Sequence, residues 1–257
     1  MNTREQWIAF VTIVRKEISR YLRIWTQTLL PSAITMSLYF VIFGTLIGSR
    51  IGEMGGFTYM EFVVPGLIMM AIVTNSYSNV VSSFFGSKFS HAVEELLVSP
   101  VSNFVILMGY VIGGVTRGML VAVVVTLVSL FFTELQIHSY VVVVVVVVLT
   151  SILFALAGFI NAVYANSFDD ISIVPTFVLT PLIYLGGVFY SMDLLPEFWA
   201  NVSKLNPLVY VVNAFRYGVL GISDVSLTFA FTMIIGFTIL AFAYSMHLLR
   251  TGTRLRQ

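Results

Sequence analysis

Arg117 is the ionisable residue set deepest in an apolar run of this chain. It follows Phe104 by about 20 Å of helix, which places it well within a bilayer, where an ionisable side chain is a candidate for a role in transport. If that helix instead begins in the cytoplasm, the same side chain snorkels to the inner headgroups. Few other residues could do chemistry. Cysteine is absent, which excludes disulfides, thiolate metal sites and cysteine nucleophiles. The three histidines, His91, His138 and His247, are too scattered to cage a transition metal, and no metal site is expected. No cluster of Asp, His and Ser at matched depth suggests an intramembrane enzyme, and no catalytic residue is assigned. The phosphate-loop pattern G-x-x-x-x-G-K-S/T does not occur, so ATP binding and hydrolysis by this chain alone are not expected. With Arg117 the one deep candidate, a transmembrane proton relay has too few members, and the energy for any transport must come from a partner.

Three segments mix polar and apolar residues in ways that could carry mechanism. In residues 5–25, Trp7, Phe10, Val11, Val14, Ile18, Tyr21, Leu22 and Trp25 recur at helical spacing, with Arg15, Lys16, Ser19, Arg20 and Arg23 opposite. That pattern predicts an amphipathic helix in the membrane surface; its basic face suits anionic headgroups or an acidic partner. In the linker Lys88 to Pro100, Phe89, Val93, Leu96 and Leu97 repeat opposite Lys88, Glu94 and Glu95. A short amphipathic helix results, stopped by Pro100, with Ser99, Ser102 or Asn103 able to cap the next span. The long segment 191–226 carries Phe198, Trp199, Val202, Leu205, Leu208, Val209, Val212, Phe215 and Leu220, too apolar for a free loop. It reads as a re-entrant helical hairpin broken into two short helices at Asn206-Pro207.

The elements that must position these segments are membrane spans. The chain has 257 residues, 58% of them hydrophobic and 10% charged, with mean hydropathy +0.98, whereas soluble domains carry about 25% charged residues. At about 20 apolar residues per crossing, hydropathy predicts an all-α membrane protein of six spans: 25–47, 59–85, 104–132, 140–165, 172–190 and 227–249. Residues 1–24 form the interfacial helix, 86–103 the amphipathic linker and 191–226 the outer hairpin, all within one membrane domain, 1–257. The run Val141 to Val148 is read as helix despite its β-branching, because lipid leaves no other way to satisfy the backbone. Pro65-Gly66, Pro175 and Pro181 interrupt the second and fifth spans, Gly186-Gly187 ends the latter, and Asp169 and Asp170 cap it. Arg4, Arg15, Lys16, Arg20, Arg23, Lys88, Arg250, Arg254 and Arg256 fall on one side and Arg50, Lys204 and Arg216 on the other, which places both termini in the cytoplasm. The N-terminal run lacks a cleavage site and is read as retained. A formal net charge of +1 without a clustered basic face gives no case for nucleic acid.

In order along the chain stand the helix at 5–22, Val64-Pro65-Gly66, Glu94-Glu95-Leu96-Leu97-Val98-Ser99-Pro100, Leu185-Gly186-Gly187-Val188-Phe189, and Asn206-Pro207-Leu208-Val209-Tyr210 leading to Phe215-Arg216-Tyr217. Together these resemble the ABC transporter permeases of the second type, an exporter family, over nearly the whole chain, and above all its small bacterial inner-membrane members. The resemblance implies a permease homodimer in the inner membrane whose cytoplasmic coupling helix docks on a separate ATP-binding-cassette ATPase, with ATP and Mg held by that partner and no cofactor by this chain. It maps the coupling helix to His91, Val93, Glu94, Glu95, Leu96, Leu97 and Val98. It gives Arg15, Lys16 and Arg20 a second ATPase contact. It implies a path lined by the first, second and fifth spans, here including Thr35, Ser37, Tyr39, Asn75, Tyr77, Thr176, Thr180 and Tyr184. Asn206, Pro207, Tyr210, Arg216 and Tyr217 belong to the outer hairpin. The expected activity is export of an amphipathic, lipid-linked or drug-like compound; the alternative is an ion-gradient-driven secondary transporter.

Overall fold

The computed structural model describes residues 2–252 and residue 254; Met1 and Arg256, the latter expected on the cytoplasmic side, lie outside the described residues. The chain runs through α1 (Thr3–Arg23), α2 (Trp25–Ile51), β1 (Glu53–Met54), β2 (Phe57–Thr58), α3 (Tyr59–Phe89), α4 (Ala92–Val98), α5 (Asn103–Ser129), α6 (Tyr140–Tyr164), α7 (Asp170–Tyr184), a 3-10 turn (Met192–Leu194), α8 (Glu197–Ser203), α9 (Pro207–Leu220) and α10 (Leu227–Thr251). Among the described residues five helices, α2, α3, α5, α6 and α10, are long and apolar enough to cross a membrane. The remaining expected span, the fifth in order, is the short helix α7, about 22 Å long at 1.5 Å per residue, against a hydrocarbon core of about 30 Å. It stops at Tyr184 rather than at 190. Leu185 leaves the helix at ψ 0, Gly187 takes φ +73, and the chain turns back onto α3.

Helix α3 is the axis of the bundle, with α5 and α6 packed along it and α9 and α2 on its flanks. Thr58 and Glu61 form a reciprocal capping box at its start, so Glu61 caps a helix end. Pro65 does not interrupt it. Close approach depends on missing side chains: a Cβ on Gly158 of α6 would lie 2.5 Å from the Tyr77 carbonyl oxygen, and one on Gly66 of α3 would lie 2.6 Å from that of Val188. Small residues let helices in lipid gain dispersion energy that apolar surface alone does not supply. The valine run is helical as expected, with Val146 and Val147 buried and Val141, Val144 and Val145 exposed.

Three expectations need correction. The all-α reading omitted the antiparallel pair β1–β2, whose turn is possible because Gly55 and Gly56 take φ +63 and +83. Helix α1 has three faces, not two. Its Gln6 side chain bonds Pro100 O and Ser102 N, each at 3.0 Å, and Ile13 and Glu17 sit where Cβ atoms on Gly109 and Gly113 would clash. Thus α1 runs parallel to the first half of α5, burying Ile13, Glu17 and Tyr21, while Trp7, Val11, Leu22 and Trp25 remain exposed. In the linker, Lys88 is buried and Phe89 exposed, the reverse of the expected faces. The Lys88 Nζ donates to the carbonyls of Val163 and Ala165 at 2.7 Å each, satisfying backbone acceptors that the end of α6 leaves open.

The hairpin is broken where Asn206-Pro207 predicted, between α8 and α9. The Asn206 side chain accepts from Leu208 N at 2.9 Å and donates to Leu182 O at 2.6 Å, so it caps α9 and ties it to α7. Asn206→Ala is expected to lower stability by about 1–2 kcal/mol, read as a lower thermal midpoint in detergent.

Candidate functional site

Helix α4 stands directly after the central helix α3. His91 makes the corner in the left-handed region, φ 59, with its Nδ1 3.0 Å from Glu94 Oε1. Val93 is 1% exposed and fixes the helix to the bundle, and Leu96 and Leu97 pack against the same core. His91, Glu95 and Val98 face outward, Val98 at 85% exposure, with Glu94 half-buried beside them. Ser102 caps α5, accepting from Val105 N. The result is an anchored helix that presents acid and one bare apolar side chain.

On α1, Arg15 and Lys16 are exposed, but Arg20 is turned into the protein. Its Nη2 donates to Asn79 O and Oδ1 at 2.9 Å and reaches Glu17 Oε2 at 3.3 Å. Glu17 is fully buried; Ser83 Oγ donates to its Oε1 at 2.5 Å and Asn79 Nδ2 lies 3.4 Å from its Oε2. Tyr110 and Ser87 continue this polar seam toward the end of α3. Sequence reasoning missed Glu17, although Ile13, Glu17 and Tyr21 share one helical stripe and Gly109-x-x-x-Gly113 marks the groove that receives it. Arg117, about one turn beyond Gly113, is buried among the helices. Its Nη2 donates to Asn75 Oδ1 at 2.9 Å, and Asn75 Nδ2 donates to Ser32 Oγ at 3.0 Å.

The expected path residues divide. Thr35 and Asn75 line one small groove between α2 and α3. The Tyr39 and Tyr184 hydroxyls meet at 3.3 Å, and the rings of Tyr39, Phe43, Phe189 and Tyr184 pack together. Thr176, Thr180 and Tyr184 lie exposed along one side of α7. The hydroxyls of Ser37 and Thr180 are bonded to Ala33 O and Pro175 O. Tyr77 does not join them; it is 2% exposed and lines a separate apolar cavity among α6, α7 and α10.

In the hairpin, Tyr210 donates to Lys204 O and Tyr217 packs edge-on to His138. Arg216 is fully buried; its Nη2 donates to Gly187 O at 2.6 Å and its Cζ lies 3.9 Å over the Phe62 ring. Arg216 thus holds the hairpin against α3 and the turn after α7.

A bundle of long apolar helices, with an anchored acidic helix at one end and a braced hairpin at the other, is the framework of a membrane permease of an ABC transporter. The chain belongs to the ABC-2 type transporter family, whose profile matches residues 8–220; permeases of this family generally work with an ATP-binding-cassette ATPase. It is 58% identical to the inner membrane transport permease YadH of Escherichia coli K12 over 250 residues, 97% of this chain and 98% of that one. Nodulation protein J of Neorhizobium galegae shares 22% identity over 242 residues, covering 94% and 92% of the two chains, and that of Rhizobium meliloti 22% over 216 residues, covering 84% and 81%. The chain is a multi-pass inner-membrane protein.

Proposed function

We propose that this chain is one half of an exporting permease homodimer, driven by a separate cytoplasmic ATPase that holds the ATP and Mg, and that it binds no cofactor itself. It crosses the membrane six times, with α7 as the fifth crossing, residues 191–226 re-entrant from the outer face, and both termini inside. The exposed cations support this orientation: Arg4, Arg15, Lys16, Arg23, Arg250 and Arg254 lie toward one side, against Arg50 and Lys204. The cargo is amphipathic, lipid-linked or drug-like, since the hydroxyls and rings of Thr35, Tyr39, Thr176, Thr180 and Tyr184 offer polarity without charge.

The observation that carries the reading is α4, pinned through Val93 while Glu95 and Val98 face outward at the end of the central helix. A force applied there is delivered straight to α3. Glu94→Lys with Glu95→Lys is expected to reduce capture of the ATPase on the affinity-purified permease by about tenfold or more, with the permease still eluting as a folded particle. Capture equal to the parent protein removes α4 as the docking element. A secondary transporter, favoured by the buried Arg117–Asn75 pair, predicts transport that follows a proton or sodium gradient without nucleotide. Vesicle flux with ATPase and ATP, with and without ionophore, separates the two.

A further inference from the structure

Between α6, α7 and α10 lies a cavity of about 420 Å³, within the range of about 300–1,000 Å³ that holds small ligands. Leu153 and Phe154 of α6, Val178 and Leu182 of α7, and Phe237 and Leu240 of α10 form its walls. Among the lining side chains only Tyr77 and Tyr244 carry a polar atom. Residues 175–184 lie beside the cavity and are tied toward α9 by the Asn206–Leu182 bond. Proline stands at 175 and 181, and Pro175–Leu179 is a wide π turn. At one end the hydroxyl of Tyr244 is bonded to that of Tyr164, and the guanidinium of Arg254 lies 5.2 Å over the Tyr164 ring. A carbon-lined slot thus ends in two phenol hydroxyls and an exposed cation.

We propose that this slot holds one acyl chain of an anionic phospholipid of the inner leaflet, with the lipid phosphate at Arg254 and the Tyr164–Tyr244 hydroxyls. Amphipathic tyrosines and a cation at the mouth of an apolar slot match the order of groups along such a lipid, tail then ester then phosphate. The lipid wedges α7 away from α6 and α10. It thereby supports the face of α7 that carries Thr176, Thr180 and Tyr184 on its other side. The inner-leaflet assignment rests on the proposed orientation, with both termini inside.

The test is native mass spectrometry of the full-length permease in detergent, with phosphatidylglycerol or phosphatidylcholine added. It needs neither ATPase nor sidedness, so a negative result leaves the orientation and the coupling untouched. The parent protein is expected to retain phosphatidylglycerol in preference to phosphatidylcholine. Arg254→Gln, an exposed position, is expected to weaken phosphatidylglycerol binding about fivefold and leave phosphatidylcholine unchanged. Ala157→Phe with Ala241→Phe fills the slot and should remove the bound lipid while the assembly mass stays constant. Equal retention of the two lipids by the parent protein overturns the proposal, as does unchanged phosphatidylglycerol binding in Arg254→Gln. A filled variant that loses a protein subunit instead of lipid also overturns it, by showing that a second copy occupies the slot. Should the filled variant not fold, Arg254→Gln decides alone.

Discussion

Gly158→Val is expected to remove most of the folded permease from the membrane, with a loss above about 3 kcal/mol, at the upper end of what overpacking a buried contact produces. A Cβ at 158 would lie 2.5 Å from the Tyr77 carbonyl oxygen, 3.2 Å from its carbon and 3.3 Å from its Cα. These are backbone atoms of the most buried of the five long apolar helices. A side chain in the way can change rotamer, but a helix backbone cannot yield without moving α3 as a body, and α3 also carries α5, α9 and α2. Two other glycines of the same protein serve as controls. At Gly86 in α3 and Gly236 in α10 an added Cβ meets nothing within 4 Å, so Gly86→Ala and Gly236→Ala should equal the parent or gain about 0.5–1 kcal/mol from reduced backbone freedom. Monodisperse yield and thermal midpoint in detergent report both. If Gly158→Val and Gly86→Ala behave alike, α6 does not approach α3 as described.

That contrast shows what sequence could and could not supply. Hydropathy located α3, α5, α6 and α10 because lipid permits one solution to an apolar run of that length, an internally bonded helix. Asn206-Pro207 located the break in the hairpin because a side-chain cap and a fixed φ act locally. The end of α7 was misplaced because residues 185–190 remain apolar while the backbone has already left the helix at Leu185 and Gly187; hydropathy carries no information on ψ. Lys88 and Phe89 were assigned to the wrong faces for a related reason. Their positions were phased with α4, but they belong to α3, and His91 in the left-handed region resets the phase between the two helices. In the candidate path, Tyr39 and Tyr184 entered as lining residues through the family resemblance alone, and the meeting of their hydroxyls is a contact between distant helices that no local pattern encodes. Tyr77 sits on a helix covered by several neighbours, where periodicity cannot say which of them a residue faces. Glu17 was overlooked because one acid among Arg15, Lys16 and Arg20 reads as part of a solvated face, and only the glycines of α5 reveal that a third face is covered.

Arg20→Met is expected to destabilise the permease more than Glu17→Gln, although the two side chains share one seam. Without Arg20, the fully buried Glu17 carboxylate keeps only Ser83 and Asn79, and a buried charge stripped of its counter-charge costs about 3–5 kcal/mol. Without the Glu17 charge, Arg20 still has two contacts of 2.9 Å to Asn79 and is 29% exposed, so water supplies the remainder and the loss is about 1–2 kcal/mol. The double variant Glu17→Met with Arg20→Met removes both charges and should recover much of the stability lost in Arg20→Met, a coupling that a double-mutant cycle measures directly. This arrangement separates folding from mechanism. Asn79 and Ser83 lie on α3 shortly before α4, so the seam makes α1 move with the segment on which the proposed docking helix pulls. In the double variant the protein is folded but the charged tie is gone, and flux per ATP should fall while ATPase capture stays normal. If Arg20→Met proves no more harmful than Glu17→Gln, the carboxylate is not buried against α3 and α1 is free to move on its own.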